Sequence, residues 1–142
     1  MSIIEVLEDK LLGNSYSRIS CGDTFDLYFD GFWLITQSVI SSDEKVLNML
    51  IAAYRPVNQA IEKEDVAKNL ILTATLRKKI TDVFISTDSC LELSFENGVT
   101  LHFPTDTGVV DWQWALNENG QDPYHDFIVG VLESGNVQLG NC

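Results

Sequence analysis

Beyond Lys79 the chain contains no lysine and no arginine: from Ile80 to Cys142 the only basic side chains are His102 and His125. The same stretch carries ten carboxylates, Asp82, Asp88, Glu92, Glu96, Asp106, Asp111, Glu118, Asp122, Asp126 and Glu133. It therefore bears −10, against −2 for residues 1–79, and together these make the chain's −12. So one-sided a charge argues against nucleic acid and anionic membrane surfaces as partners and favours a basic one. The missing Lys and Arg also argue against phosphate or nucleotide binding in that half.

Other absences narrow the class further. The three cysteines, Cys21, Cys90 and Cys142, are an odd set without CxxC spacing, which speaks against a disulfide framework or a zinc site. No run approaches the roughly 18 apolar residues of a membrane span. The N-terminus, MSIIEVLEDKLLG, has acids where a secretion signal needs basic residues. The expectation is a cytoplasmic protein with reduced thiols, a single domain over residues 1–142. Hydrophobic content of 45% beside 21% charged residues is that of a folded chain, so the acidity is not that of a disordered tail. HExxH, GxSxG, the phosphate loop and the dinucleotide fingerprint are all missing, and no cofactor is implied.

What is present reads as α+β. Ser2 and Glu5 have capping-box spacing, Ile4, Leu7, Leu11 and Leu12 recur at helical period, and Gly13 follows, which predicts a helix over 3–12. FDLYFDGFWLITQSVIS predicts two strands around a type I′ turn at Asp30-Gly31. That register pairs Phe29 with Phe32 and Leu27 with Leu34 on one face, and Tyr28 with Trp33 and Asp26 with Ile35 on the other. The second face is too apolar for water, so a helix is expected to cover part of it.

Ser41 and Glu44 offer another capping box before a helix carrying Val46, Leu47, Leu50, Ile51 and Tyr54, which Pro56 should end near Tyr54 or Arg55. Glu62 to Leu72 reads as a further helix that Arg77, Lys78 and Lys79 could close, with a strand as the alternative for ILTATL. From Thr81 the pattern is strand again. In LELSFENGVTLHF a three-residue loop, Glu96-Asn97-Gly98, pairs Phe95 with Val99, Leu93 with Leu101 and Leu91 with Phe103 on one core face. Glu92 then faces His102 and Ser94 faces Thr100 on a polar outer face. The two hairpins resemble each other over a short stretch, which raises a pseudo-repeat separated by a helical insertion. Further on, VVDWQWAL alternates Val110, Trp112, Trp114 and Leu116 against Asp111 and Gln113, residues 117–123 read as loop, Phe127–Leu132 as a short strand, and Ser134-Gly135 as a turn into Asn136–Leu139. The sum is an antiparallel sheet of about six strands built from two hairpins, with an N-terminal helix and a helical insertion packed on one face.

Candidate chemistry is sparse. Asp122, His125 and Asp126, with His102 elsewhere, form the most enzyme-like set, but Asp and His are common where a loop enters a strand, so no metal or catalytic residue is assigned. Asp23, Asp26 and Asp30 lack calcium-loop spacing and read as a solvated strand edge plus a turn. Cys21 and Cys90 have no adjacent basic group to activate a thiolate. Trp112 and Trp114 share a face with Val110 and Leu116 and so read as core, which leaves Tyr124 as the better contact residue.

The strand pairs LYFDGFWLI and LSFENGVTLHF, the segment VVDWQWAL and the acidic loop 117–126 give a small acidic α+β chain that resembles the immunity proteins of bacterial toxin systems, including contact-dependent growth inhibition. That resemblance implies a protein that binds a basic toxin domain, often a nuclease, and covers its active site; it carries over no functional residues. On charge and loop position, the expected contacts are Asp106, Asp111, Glu118, Asp122, Tyr124 and Asp126. Two other readings stand beside it: a small-molecule module or enzyme with a pocket between sheet and helices that converges on His102, His125 or Cys90, and an acidic domain that assembles with itself or a scaffold.

Overall fold

A computed structural model describes residues 1–41, 43–53, 63–108, 112–120, 126–132 and 135–140. The first helix, α1 (Ile3–Leu11), begins as expected: the Glu5 N–H donates to Ser2 Oγ at 3.3 Å and the Ser2 N–H to Glu5 Oε2 at 2.8 Å. These bonds satisfy two donors that a helix start leaves orphaned. Leu7 and Leu11 are fully buried.

Three strands follow, β1 (Arg18–Cys21), β2 (Phe25–Tyr28) and β3 (Phe32–Thr36). The β2–β3 register is the predicted one, with Leu27 opposite Leu34, Tyr28 opposite Trp33 and Asp26 opposite Ile35. The turn differs from type I′, which needs a positive φ at both central residues; only Gly31 has one, at 87°.

The helical insertion comprises α2 (Glu44–Ala53) and α3 (Lys63–Ala74). The Ser41–Glu44 capping box does not form. Ser41 is buried, its Oγ accepts from the Asp43 N–H at 3.4 Å, and its carbonyl accepts from the Glu44 N–H at 3.1 Å. Glu44 therefore opens the helix instead of reaching back across a full turn. ILTATL is not a strand, because α3 runs on to Ala74 and a turn follows with Arg77 at φ 64°. Ile71 and Leu72 of α3 enter the core. The expected helix end at Pro56 lies outside the described residues.

The remaining strands are β4 (Ile80–Ile85), β5 (Leu91–Phe95), β6 (Thr100–Phe103), β7 (Trp114–Glu118), β8 (Val129–Val131) and β9 (Val137–Leu139). All pairings are antiparallel. They form a six-stranded sheet of order β1-β2-β3-β7-β8-β9 and a second, three-stranded sheet of order β4-β5-β6. The second hairpin has the predicted three-residue loop: the Phe95 N–H donates to the Val99 carbonyl at 2.9 Å, Gly98 sits at φ 87°, and Leu91 and Leu93 face Phe103 and Leu101. Its place is the smaller sheet, so the two look-alike hairpins face one another across the core instead of lying side by side.

One apolar core joins both sheets to α1 and α3. Tyr16, fully buried, lies edge-on to Phe29 of one hairpin and Phe95 of the other, with centroids 5.9 and 6.0 Å away, and its hydroxyl donates to the Leu72 carbonyl at 2.5 Å. That bond satisfies a phenol that burial would otherwise penalise.

Among the described residues, the apolar outer face of the first hairpin is covered by side chains and not by a helix. Trp112 and Phe127 pack with Ile35 and Ala115 into a second small cluster, flanked by Trp33 and Leu132. Trp112 thus leaves the face it was expected to share with Trp114 and Leu116, which stay in the main core. The cause is a bend at Gln113, just before β7. Gln113, although it alternates against the apolar positions of VVDWQWAL, is only 4% exposed, because its Oε1 accepts from the Thr107 hydroxyl and its backbone is bonded to Val131 and Gln37. Asn117, read as loop, is fully buried within β7.

Candidate acidic binding face

The smaller sheet turns one side to the core and the other outward. Its outer face holds two cross-strand rows, Phe84–Glu92–His102 and Asp82–Ser94–Thr100. A residue beyond the sheet extends the first row. Ile40 bridges to His102, with the Ile40 N–H donating to the His102 carbonyl at 2.9 Å and the His102 N–H to the Ile40 carbonyl at 2.8 Å. Directly opposed residues in an antiparallel pair share a face, so Ile40 joins Phe84, Glu92 and His102.

Within that row Glu92 Oε1 and His102 Nδ1 lie 3.0 Å apart, both side chains about one-third exposed. In the next row the Ser94 and Thr100 hydroxyls are bonded at 3.2 Å. Both contacts were predicted from register. Phe84, at 53% exposed, and Ile40, at 46%, were not. By plain alternation Ile80, Asp82 and Phe84 share one side of β4. A register irregularity between Ile80 and Asp82 instead sends Ile80 inward with Val83 and leaves Phe84 in water. No turn residue or glycine in the sequence announces that bulge.

Where Ile40 meets the β4–β5 turn there is a cleft of about 550 Å³, with Asp88, Cys90, Pro104 and Asp106 in its walls. The Thr105 hydroxyl donates to the Asp88 carbonyl at 2.7 Å and holds the two sides together. Burial pushes the Cys90 thiol up and the charge of Glu92 pushes it further; a backbone bond at Phe103 pulls the other way, and Asp106 and Asp88 add lesser upward pushes. Three carboxylates thus act on one thiol. Cys90 stays protonated at neutral pH, the wrong state for a nucleophile. The Cys21 thiol is likewise raised, by partial burial and then by Asp26.

The expected contact residues do not gather at one place. Asp106 is exposed on this cleft. Glu118 is exposed at the end of β7, opposite Phe32 and beside the Asp30-Gly31 turn, and Asp126 is exposed just before Phe127. The Asp106 side of the molecule meets the other end of β7, through Thr107 and Gln113. A five-residue strand puts roughly 13 Å between its ends. Asp111, Asp122 and Tyr124 lie outside the described residues, as do His125 and Cys142. Sequence reasoning passed over Asp88 as a contact because a turn brings it to the same cleft as Asp106.

Other clusters behave differently. Asp26 is half-buried instead of solvated; its carboxylate accepts from the Thr24 hydroxyl at 2.9 Å and from the Tyr28 hydroxyl at 3.4 Å. On the same face the Arg18 guanidinium lies 4.1 Å over the Tyr28 ring, which stacks on Trp33. Among the described residues no group of three or more His, Cys, Asp or Glu side chains could hold a metal ion. Among them, too, no helix is long and apolar enough to cross a membrane.

Asp82, Asp88, Glu96, Asp106 and Glu118 are all exposed, and among the described residues none has a Lys or Arg within ion-pair distance. Compared with protein-family models, curated proteins and solved structures, the chain matches none.

Proposed function

We propose that this protein binds a basic protein partner, a toxin domain with nuclease activity, and neutralises it by laying carboxylates over its positively charged substrate cleft. The observation that carries this reading is the set of exposed acids Asp82, Asp88, Glu96, Asp106 and Glu118, with no Lys or Arg beside them among the described residues. Unpaired charges of one sign sum into a field that reaches about 8 Å into physiological salt. Such a field speeds encounter with an oppositely charged partner by about ten- to a thousandfold. Asp88 and Asp106, both in the walls of the cleft beside Cys90, are the acids best placed to meet Lys or Arg side chains at close range. Glu118 sits at the far end of β7, away from that cleft, and serves steering.

The test is inhibition of a basic nuclease domain encoded beside this chain, with affinity measured at low and at high salt. Reversing Asp82, Asp88 and Asp106 to lysine together is expected to weaken binding about thirtyfold or more, equivalent to about 2 kcal/mol. Affinity indifferent to those reversals and to salt would sink the reading.

A further inference from the structure

The outer face of the three-stranded sheet is more than a charged surface. Phe84 and Ile40, both about half exposed, stand at the two ends of the row Phe84–Glu92–His102–Ile40. Strand spacing of about 4.8 Å puts them about 14 Å apart. Between them lies the Glu92–His102 pair, and past Ile40 opens the cleft walled by Asp88 and Asp106. Leaving a phenylalanine in water forgoes about 25 cal/mol for each Å² of apolar surface, and a solvated sheet face ordinarily carries polar residues there. Asp82 in the neighbouring row fits that rule, and Phe84 departs from it.

Charge selects the occupant. Neither row contains Lys or Arg, and the basic triplet 77–79 precedes Ile80, outside both rows. A second copy would bring Asp82, Glu92, Asp88 and Asp106 against their own like, and like charges in apposition cost binding energy. A purely cationic ligand would leave Phe84 and Ile40 bare.

We infer that this face docks a basic protein surface presenting apolar side chains to Phe84 and Ile40 and a lysine or arginine to the Asp88–Asp106 cleft. The inference rests on the reading of a basic partner and adds where on the molecule that partner sits. The apolar ends supply grip and orientation, and the carboxylates supply selection against neutral and acidic surfaces.

The test uses the full chain and two synthetic probes, an arginine-rich peptide containing one phenylalanine and one leucine, and hexa-arginine. Both are titrated while backbone amide resonances are followed by NMR at low salt. The mixed peptide is expected to shift the amides of Ile40, Phe84, Glu92 and His102. The double variant Phe84→Ser, Ile40→Ser is expected to bind it at least about tenfold more weakly, while its affinity for hexa-arginine stays within about twofold of the parent's. Since Ile40 also makes the backbone bridge to His102, Phe84→Ser alone serves as the second variant; it too must weaken the mixed peptide. Undiminished affinity in both variants, or shifts centred on Asp30 and Glu118, overturns the docking face and leaves the basic-partner reading standing. No shift with either peptide overturns both.

Discussion

The indole N–H of Trp114 donates to the backbone carbonyl of Ser89 across 3.0 Å of buried core. Ser89 lies in the β4–β5 turn at φ 63°, and its hydroxyl accepts from the Val137 N–H at 3.1 Å. One turn residue therefore ties the smaller sheet to β7 and to β9 of the larger. Its two neighbours are Asp88 and Cys90, so the same bonds set the position of the acidic cleft.

Trp114→Phe keeps an aromatic ring but leaves the Ser89 carbonyl without its donor. An unpaired buried carbonyl costs about 1–3 kcal/mol, and the lost ring volume adds to it. Urea unfolding is expected to show a lowered midpoint with little change in slope. A variant as stable as the parent would mean that the bond between the sheets contributes nothing.

Lys68 is nearly buried on α3, where its ammonium donates to the Val39 carbonyl and, at 3.2 Å, to the Ser38 hydroxyl, with Glu44 3.9 Å away. It pins the chain leaving β3 to the helical insertion. Lys68→Met matches the stem but supplies no donor, and is expected to cost about 1–3 kcal/mol. Hydrogen exchange at the Ile40 amide should quicken in parallel, because that amide sits one residue beyond the anchored carbonyl. Unaltered exchange and stability would show the ammonium to be dispensable.

Asp26 provides the pH dependence. Burial raises its pKa above 3.8, against smaller opposing pulls from the Thr24 and Tyr28 hydroxyls. A carboxyl with a raised folded-state pKa binds its proton more tightly in the folded chain. Its contribution to stability is complete below the unfolded value and falls as pH rises through the folded one. Asp26→Asn cannot ionise; its amide oxygen still accepts from the Thr24 hydroxyl, and its NH2 group turns to the Tyr28 oxygen as a donor. It is expected to be more stable than the parent at neutral pH, with the difference closing as pH falls below about 4. Denaturant midpoints measured across that range decide it, and a variant less stable at pH 7 would reverse the assigned sign.

Legibility in the sequence followed the range of the interactions. The α1 capping box, both hairpin registers and the Glu92–His102 and Ser94–Thr100 pairs were readable, since each depends on residues close together in the chain. The missed features depend on distant ones. Backbone bonds to Gln37 and Val131 hold Gln113 inward, and Trp112 goes to the other side of the sheet. A bulge with no marker residue exposes Phe84, and a lone bridge from the β3–α2 connection brings in Ile40. Of the expected contact residues, Asp106 falls on the cleft, and Glu118 lies at the opposite end of β7.

The amino-acid order alone determined the charge asymmetry, the α+β class and which residues oppose one another within each hairpin, because those follow from composition, period and turn length. Only the tertiary structure decided that the hairpins belong to different sheets, and that Asp88 and Asp106 share a cleft while Glu118 stands apart. Strand order and the direction of a bend are set by which distant surfaces fill a shared core, and no local pattern encodes that choice.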